Sequence, residues 1–162
     1  MEKLLVMDLD KCTGCRICEL ACSYEHEGVF NPRLSRISVV SFKRDGIDIP
    51  ITCQQCETAL CLESCPSRAL YRDSQMRVVL LNEKKCIGCY TCIMVCPFGG
   101  TSVHSLKKVA MKCDLCGGNP RCVEFCPVEA IEYVTADKVG LRKKRLGAEK
   151  MFKYISLIQK EG

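Results

Sequence analysis

The sequence contains no tryptophan and only five phenylalanines and five tyrosines among its 162 residues. The side chains that usually fill a hydrophobic core are therefore scarce, and we expect bound metal to supply folding free energy that apolar burial cannot. The longest apolar runs are short, as at residues 78–81, so no segment is predicted to span a membrane. The first ten residues also lack the pattern of an export signal, and we expect a cytoplasmic chain.

The common nucleotide- and haem-binding motifs are missing as well. The sequence has no GxxxxGK[ST] loop, no GxGxxG turn and no Cys-x-x-Cys-His. No pair of carboxylates and no nucleophile with a neighbouring base stands out. These absences predict a chain that is not an enzyme by itself.

Cysteine, by contrast, is abundant, and its sixteen copies fall into four quartets with none left over. The quartets are Cys12-x2-Cys15-x2-Cys18-x3-Cys22, Cys53-x2-Cys56-x4-Cys61-x3-Cys65-Pro, Cys86-x2-Cys89-x2-Cys92-x3-Cys96-Pro and Cys113-x2-Cys116-x5-Cys122-x3-Cys126-Pro. Quartets one and three have the spacing of the bacterial ferredoxin run. Three closely spaced thiolates can hold three iron corners of one [4Fe–4S] cluster, while the fourth, at the start of a short helix, ligates a neighbouring cluster. The sequence therefore predicts four [4Fe–4S] clusters.

Two other uses of these cysteines are weaker. Structural zinc takes four ligands, often as two Cys-x2-Cys pairs, and a zinc-stabilised interaction module is the main alternative. Quartets one and three instead add a third cysteine two residues after the pair, which favours iron. Disulfides between thiols this close in sequence would be strained, and they are rare in the cytosol.

The order in which the quartets pair stays open at this level. Residues 69–71 and 77–81 read as strands around a polar turn, a form that joins the halves of a two-cluster ferredoxin. This favours pairing quartets two and three, with quartets one and four pairing around them. The alternative pairs quartet one with two, and three with four, and would use residues 23–52 as the connection.

Further short elements surround the quartets. Helices are expected near Ile17, Leu62, Ile93 and Val123, and an amphipathic helix over residues 141–158. The remaining predicted strands cover residues 4–7, 37–42, 47–51, 103–105, 109–111 and 130–134, with Asp45-Gly46 marking a hairpin. The predicted class is α+β: two ferredoxin-like modules, one nested in the other, followed by a basic helix. The boundaries are 1–52 and 105–137 for the outer module, 53–104 for the inner module and 138–162 for the tail.

The charge is uneven along the chain. The formal net charge is +5, but four oxidised clusters with their thiolates add about −8, so the loaded protein is slightly acidic and nucleic-acid binding gains no support. Residues 138–162 hold eight Lys and Arg against two Glu. Together with its apolar positions, this tail is predicted to dock on a partner, with a solvated charged helix as the alternative.

A few residues outside the quartets could affect the clusters. Lys11, Lys85 and Lys112 each precede the first cysteine of a quartet, where a positive charge would raise the potential of that cluster. His26 and His104 are interpreted as ordinary residues, because no cluster site is short of a ligand.

At the quartets the sequence resembles the four-cluster ferredoxin subunits of multisubunit oxidoreductases. The phrases that carry the resemblance are DKCTGCRICELACS, CQQCETALCLESCP, KKCIGCYTCIMVCPFGG and MKCDLCGGNPRCVEFCP. The stretches YEHEGVFNPRLSRI and GIDIPITCQQC look most like the small iron–sulfur subunit of tungsten aldehyde oxidoreductases, whose relatives serve benzoyl-CoA reductases. The resemblance covers about residues 3–135.

This resemblance implies the nested pairing and specific ligand sets. The sets are Cys12, Cys15, Cys18 and Cys126; Cys22, Cys113, Cys116 and Cys122; Cys53, Cys56, Cys61 and Cys96; and Cys65, Cys86, Cys89 and Cys92. It also implies electron transfer between a large tungsten- or molybdenum-pterin catalytic subunit and an external carrier, a ferredoxin or a flavin subunit, with further copies of the chain as another partner. The alternatives within the family are a subunit of a hydrogenase, formate dehydrogenase or carbon monoxide dehydrogenase, and a free-standing polyferredoxin.

Overall fold

The computed structural model describes residues 3–158, with the side chains of residues 142, 143, 146, 150 and 152–158 outside that description. The strands are β1 Lys3–Met7, β2 Ile37–Phe42, β3 Ile47–Thr52, β4 Leu70–Arg72, β5 Val79–Leu81, β6 Thr101–Val103, β7 Ala110–Lys112 and β8 Ile131–Thr135. The helices are α1 Ile17–Glu27, α2 Leu60–Glu63, α3 Thr91–Met94, α4 Arg121–Glu124 and α5 Ala136–Ile158. Short 3-10 turns cover Pro32–Leu34, Glu83–Lys85 and Leu115–Gly118. This mixture of short helices and small sheets confirms the predicted α+β class.

The strands form four antiparallel two-stranded sheets in the described residues. β1 pairs with β8, which joins the two ends of the cysteine-containing region, with Leu5 opposite Tyr133. The other sheets are local hairpins, β2–β3, β4–β5 and β6–β7. At the β2–β3 turn Gly46 adopts a φ of +65°, a left-handed conformation that glycine accepts without strain.

Every predicted strand begins and ends within two residues of an observed one. The largest displacement of a whole strand is the two residues between the predicted 103–105 and β6 at Thr101–Val103. β6 ends at Val103, and residues 105–107 form the turn that leads to β7. The His104 N–H still donates to the Val109 carbonyl oxygen at 2.8 Å. The His104 Nδ1 atom accepts hydrogen bonds from the backbone N–H groups of Leu106 and Lys107 in the turn, at 3.3 and 3.2 Å, so its side chain stabilises the turn.

The small core is divided between two clusters that include cysteines. One combines Ile37, Val39 and Ile131 with thiols of the first and fourth quartets. The other combines Leu70, Val79 and Ala110 with thiols of the second and third quartets. The cysteines thus lie where a conventional domain would have aliphatic side chains.

The long helix α5 follows β8 directly and contacts β8 and β1. It covers the predicted 141–158 helix and begins at Ala136, five residues earlier. Leu141 and Met151 are exposed on it, whereas most other positions of the predicted apolar stripe, and residues 159–162, lie outside the description. None of the helices described between residues 3 and 158 combines the length and the apolar character needed to cross a membrane.

Candidate metal centres

The cysteines of the outer quartets lie in two groups. Group A consists of Cys12, Cys15, Cys18 and Cys126, which line one cavity. Group B consists of Cys22, Cys113, Cys116 and Cys122; the charges of the first three all raise the pKa of the Cys122 thiol, after burial as the largest cause. Each group combines cysteines from quartets one and four, which are about a hundred residues apart in sequence.

The inner quartets form two further groups. Group C consists of Cys53, Cys56, Cys61 and Cys96, which line one cavity. Group D consists of Cys65, Cys86, Cys89 and Cys92, which line another. Each group again combines three cysteines of one quartet with one of the other, here quartets two and three.

Local backbone conformation explains how closely spaced cysteines face one cavity. Gly14 and Gly88 occupy the same position in quartets one and three, and they adopt φ values of +67° and +68°. Arg16 and Tyr90, which precede α1 and α3, are also left-handed. These repeated turns curl each loop so that successive thiols point inward, a conformation in which glycine has the lowest cost. The matching geometry follows from the matching Cys-x-Gly-Cys sequence.

Backbone amides point at several of these sulfurs. The N–H groups of Gly100 and Ala130 donate to Cys96 and Cys126 at 3.3 and 3.2 Å, in each case four residues after the cysteine. The N–H of Leu115 donates to Cys113 Sγ at 3.4 Å. Hydrogen bonds to sulfur stabilise thiolate charge and are one way in which a protein sets a cluster's potential.

Burial disfavours ionisation of several of the thiols. Burial raises the pKa of Cys18 to about 12, with the charge of Glu19 adding to the effect. Burial likewise raises the pKa of Cys113 to about 12 and of Cys92 to about 11. Only bound metal would make several adjacent thiolates favourable here, since metal binding and thiol deprotonation are coupled.

Cys22 in group B has a different environment, which the sequence did not indicate. Burial would raise its pKa, but hydrogen bonds from His26, the Arg36 backbone and Ser35 lower it overall. His26 donates through Nδ1 to the Cys22 carbonyl oxygen at 2.8 Å and through Nε2 to Asp114 at 3.0 Å. Burial opposes protonation of His26, yet these bonds raise its pKa to about 10, so the imidazole is cationic beside group B.

Asp114 connects this network. Its carboxylate accepts from Arg36 Nη1 at 2.7 Å and from the Cys116 N–H at 3.0 Å. Burial would raise the pKa of Asp114, but His26 and Arg36 hold it well below its usual range. Arg36 thus supports the loop of group B.

The three lysines that precede a quartet differ sharply. Lys11 has 43% of its side chain exposed and lies 3.9 Å from Glu132, and Lys85 is also exposed. Lys112 is buried, and its ammonium group donates to the sulfur of Cys53 in group C. Lys112 was expected to affect the potential of a cluster held by quartet four, which it precedes. Its side chain instead contacts Cys53 of quartet two, so its charge lies beside group C.

A buried carboxylate lies beside group A. Glu19 is 2% exposed, and its Oε1 accepts from the Val39 N–H at 2.6 Å. Its Oε2 has no hydrogen-bond partner among the described residues, although Arg16 Nη1 lies 3.8 Å away. The Asp48 carboxylate packs over the loop of quartet one, where a Cβ on Gly14 would lie 2.5 Å from Asp48 Cγ. Sequence patterns missed both acidic groups as neighbours of a metal centre.

The donor sets fit [4Fe–4S] clusters. Each group supplies four thiol sulfurs, the ligand number that such a cluster needs, and all sixteen cysteines are used. Bound clusters would supply one-electron redox chemistry, while the residues around them hold the ligands, exclude water and fix nearby charge.

Comparison with known proteins agrees with this chemistry. The family described as "4Fe-4S dicluster domain" matches residues 46–136, and "4Fe-4S binding domain" matches residues 3–24. The polyferredoxin-like subunit of an aliphatic sulfonate oxidoreductase from Pyrococcus furiosus is 47% identical over 131 residues, covering 79% of this chain and 75% of the relative. The putative electron transport protein YsaA of Escherichia coli K12 is 36% identical, covering 90% of this chain and 98% of the relative.

A solved structure is similar along nearly the whole chain. One chain of the active site complex BamBC of benzoyl coenzyme A reductase, as isolated, superposes with a TM-score of 0.50 at 25% identity, covering 95% of this chain and 96% of that chain. The comparisons confirm the prediction of a ferredoxin-type electron-transfer subunit with four [4Fe–4S] clusters. The family match spans more than half of the sequence, and the chain belongs to the 4Fe-4S dicluster domain family.

Proposed function

We propose that groups A, B, C and D are the ligand sets of the four clusters. The observation that carries this proposal is that three cavities are each lined by four cysteines, three from one quartet and one from another. The four cysteines that remain, those of group B, complete the same exchange between quartets one and four. This is the exchange expected when two quartets share two clusters. The same ligand sets follow from the sequence resemblance.

The proposed modules are nested. Residues 1–52 and 105–137 form the outer module with groups A and B, and residues 53–104 form the inner module with groups C and D. The pairing of β1 with β8 supports this division, because it closes the outer module around the inner one. Residues 138–162 follow as a basic tail that docks on a partner.

The clusters form a path in the order A, B, C, D. Cys18 of group A packs in one core cluster with Cys22 and Cys122 of group B. Gln55, whose N–H donates to Cys53 of group C, also donates through its side chain to the Cys113 carbonyl oxygen of group B at 2.7 Å. Cys61 of group C packs in the second core cluster with Cys92 of group D.

The ends of this path are the points of electron exchange. Cys15 in group A and Cys89 in group D are the exposed cysteines, and the ligands of groups B and C are all at least partly buried. Solvent-accessible ligands at both ends and protected ligands between them suit a protein that takes an electron at one end and releases it at the other.

The catalytic partner is a large subunit with a tungsten- or molybdenum-pterin centre, and the electron acceptor is an external carrier or a flavin subunit. Support comes from the sequence resemblance and from relatives named as an oxidoreductase subunit and as part of the benzoyl coenzyme A reductase complex. The alternative is a free-standing carrier or a partner of another oxidoreductase. It is favoured by YsaA and by HydN, an electron transport protein of Escherichia coli that is 34% identical and covers 93% of this chain.

Affinity purification from the native cells tests the partner. The tagged chain, prepared without oxygen, is expected to bring down a large polypeptide with about one tungsten or molybdenum atom per complex. A variant lacking residues 138–162 is the matched control and should retain its iron but recover less of that polypeptide. Recovery of the iron-loaded chain alone would contradict the pterin-enzyme partner and favour the free-standing carrier.

A further inference from the structure

Lys112 has an unusual position for a lysine. It ends β7, where all three residues are buried, and it is 5% exposed. A lysine without access to water is rare, because an ammonium group loses its hydration on burial and needs a compensating partner. The partner here is Cys53 Sγ, 59 residues away in sequence and a member of group C.

The surroundings of Cys53 keep water away from this contact. The Gln55 backbone N–H donates to Cys53 Sγ at 3.3 Å, and the Gln55 side-chain amide donates to the Cys113 carbonyl oxygen at 2.7 Å. Gly100 packs so closely that a Cβ there would lie 2.6 Å from Cys53 Cα. A charge fixed in such a site acts through a lower effective dielectric than a charge in solvent.

The contact joins the two proposed modules. Lys112 immediately precedes Cys113, which belongs to group B, but its charge faces group C. Among the described side chains no ion pair links Lys112 to a carboxylate, so the Cys53 sulfur is the partner of the ammonium group. A cluster bound by Cys53 would therefore carry the charge that balances Lys112.

We propose that Lys112 is a tuning residue that raises the potential of cluster C and leaves cluster B much less affected. Reduction adds one electron from an external donor to the cluster and makes it more negative by one charge, with no bond formed or broken. A fixed ammonium against a ligand sulfur favours that reduced state. The inference rests on the proposed ligand sets. It adds that, of the neighbouring clusters B and C, an electron is held preferentially on cluster C of the inner module.

The test is a redox titration of the anaerobic, cluster-loaded full chain, followed by electron paramagnetic resonance. In Lys112→Met the reduction equilibrium constant of one cluster should fall at least about tenfold, which is about 59 mV for a one-electron couple. Cys56→Ser, which alters a ligand of group C, identifies the signal that belongs to that cluster. The other three clusters should change by less than about threefold.

Two further variants control for packing. Lys85→Met changes an exposed lysine in the same position before quartet three, and every cluster should stay within about threefold of the wild type. Lys112→Gln and Lys112→Arg both retain hydrogen-bond donors, but only arginine keeps the charge, so the arginine variant should remain closer to the wild-type potential. This pair gives the answer even if the methionine variant loses a cluster.

Several results would overturn the inference. In Lys112→Met with all clusters present, these results are an unchanged potential of cluster C or a shift confined to cluster B. Equal shifts of the cluster C potential in Lys112→Met and Lys85→Met would also overturn it. So would equal cluster C potentials in Lys112→Gln and Lys112→Arg. Failure of the proposed function itself would be seen separately, as wild-type protein that lacks the iron of four clusters before any potential is measured.

Discussion

Groups A and C offer a metal cluster the same four thiols but opposite neighbouring charges. Glu19 is buried beside group A and Asp48 covers its loop, whereas the buried ammonium of Lys112 faces group C. The ligands alone would make the two sites equivalent. The difference shows that residues outside the cysteine motifs set each site's electrostatics, and that these residues arrive through folding rather than through motif spacing.

Loss of a ligand is the largest change that can be made to either site. Cys126→Ser removes the cysteine that quartet four contributes to group A, and Cys96→Ser removes the one that quartet three contributes to group C. Each variant should lose one cluster, with iron falling from about sixteen to about twelve atoms per chain, because a serine hydroxyl is a poor cluster ligand. Iron analysis and absorbance near about 400 nm measure the loss. Unchanged iron in both variants would contradict the proposed ligand sets.

Neutralising the carboxylate beside group A should have an effect opposite in sign to neutralising Lys112. In Glu19→Gln we expect the cluster A reduction equilibrium constant to rise about threefold to tenfold, since one buried negative charge is removed while the bond to the Val39 N–H can persist. Asp10→Asn, an exposed acid two residues before Cys12, is the matched control and should have little effect. A lowered or unchanged potential in Glu19→Gln would remove the proposed contrast between groups A and C.

The contact between His104 and Glu27, which joins the two proposed modules, should affect protein stability more than cluster potential. His104 is 1% exposed, and its Nε2 lies 3.3 Å from Oε2 of Glu27 at the end of α1. His104→Ala should destabilise the loaded protein by about 1–3 kcal/mol, because the turn donors lose their acceptor and the partly buried Glu27 carboxylate keeps only the more exposed Lys107 as a partner. The readout is the rate of iron loss to a chelator.

Lys107→Ala is the control for that experiment. Lys107 lies 3.3 Å from the same Glu27 carboxylate, but 44% of its side chain is exposed. Its loss should cost no more than about 1 kcal/mol, as is usual for exposed ion pairs. Iron loss at least as fast as in His104→Ala would show that burial is not what strengthens this link.

Removal of the tail should change the clusters least. The cavities of groups A, C and D are lined by described residues that all precede residue 132. Deletion of residues 138–162 should therefore leave all four reduction equilibrium constants within about threefold of the wild type. A shift in one cluster, measured in the same titration, would mean that α5 contributes to a metal site.

The sequence predicts best what depends on near neighbours in the chain. The β2–β3 hairpin is predicted by Asp45-Gly46 and is observed. The matching loops of quartets one and three accompany their matching Cys-x2-Cys-x2-Cys spacing. β6 lies two residues before its predicted position, and no local pattern indicates that the His104 side chain accepts from the Leu106 and Lys107 N–H groups in the turn that follows.

Neighbours that are distant in sequence were also missed. Asp114 contacts His26 across 88 residues, and Lys112 contacts Cys53 across 59. No local pattern carries such information, since it depends on how the modules pack. The sequence identifies Lys112 as a positive charge next to a quartet, but it does not show that this charge lies beside group C.

Whether this chain holds four [4Fe–4S] clusters is tested by measuring iron and acid-labile sulfide in anaerobically purified protein, with Mössbauer spectroscopy to identify the clusters. We expect about sixteen iron and sixteen sulfide per chain, all in four-iron clusters. Stoichiometric zinc, or iron far below that amount after full reconstitution, would contradict it.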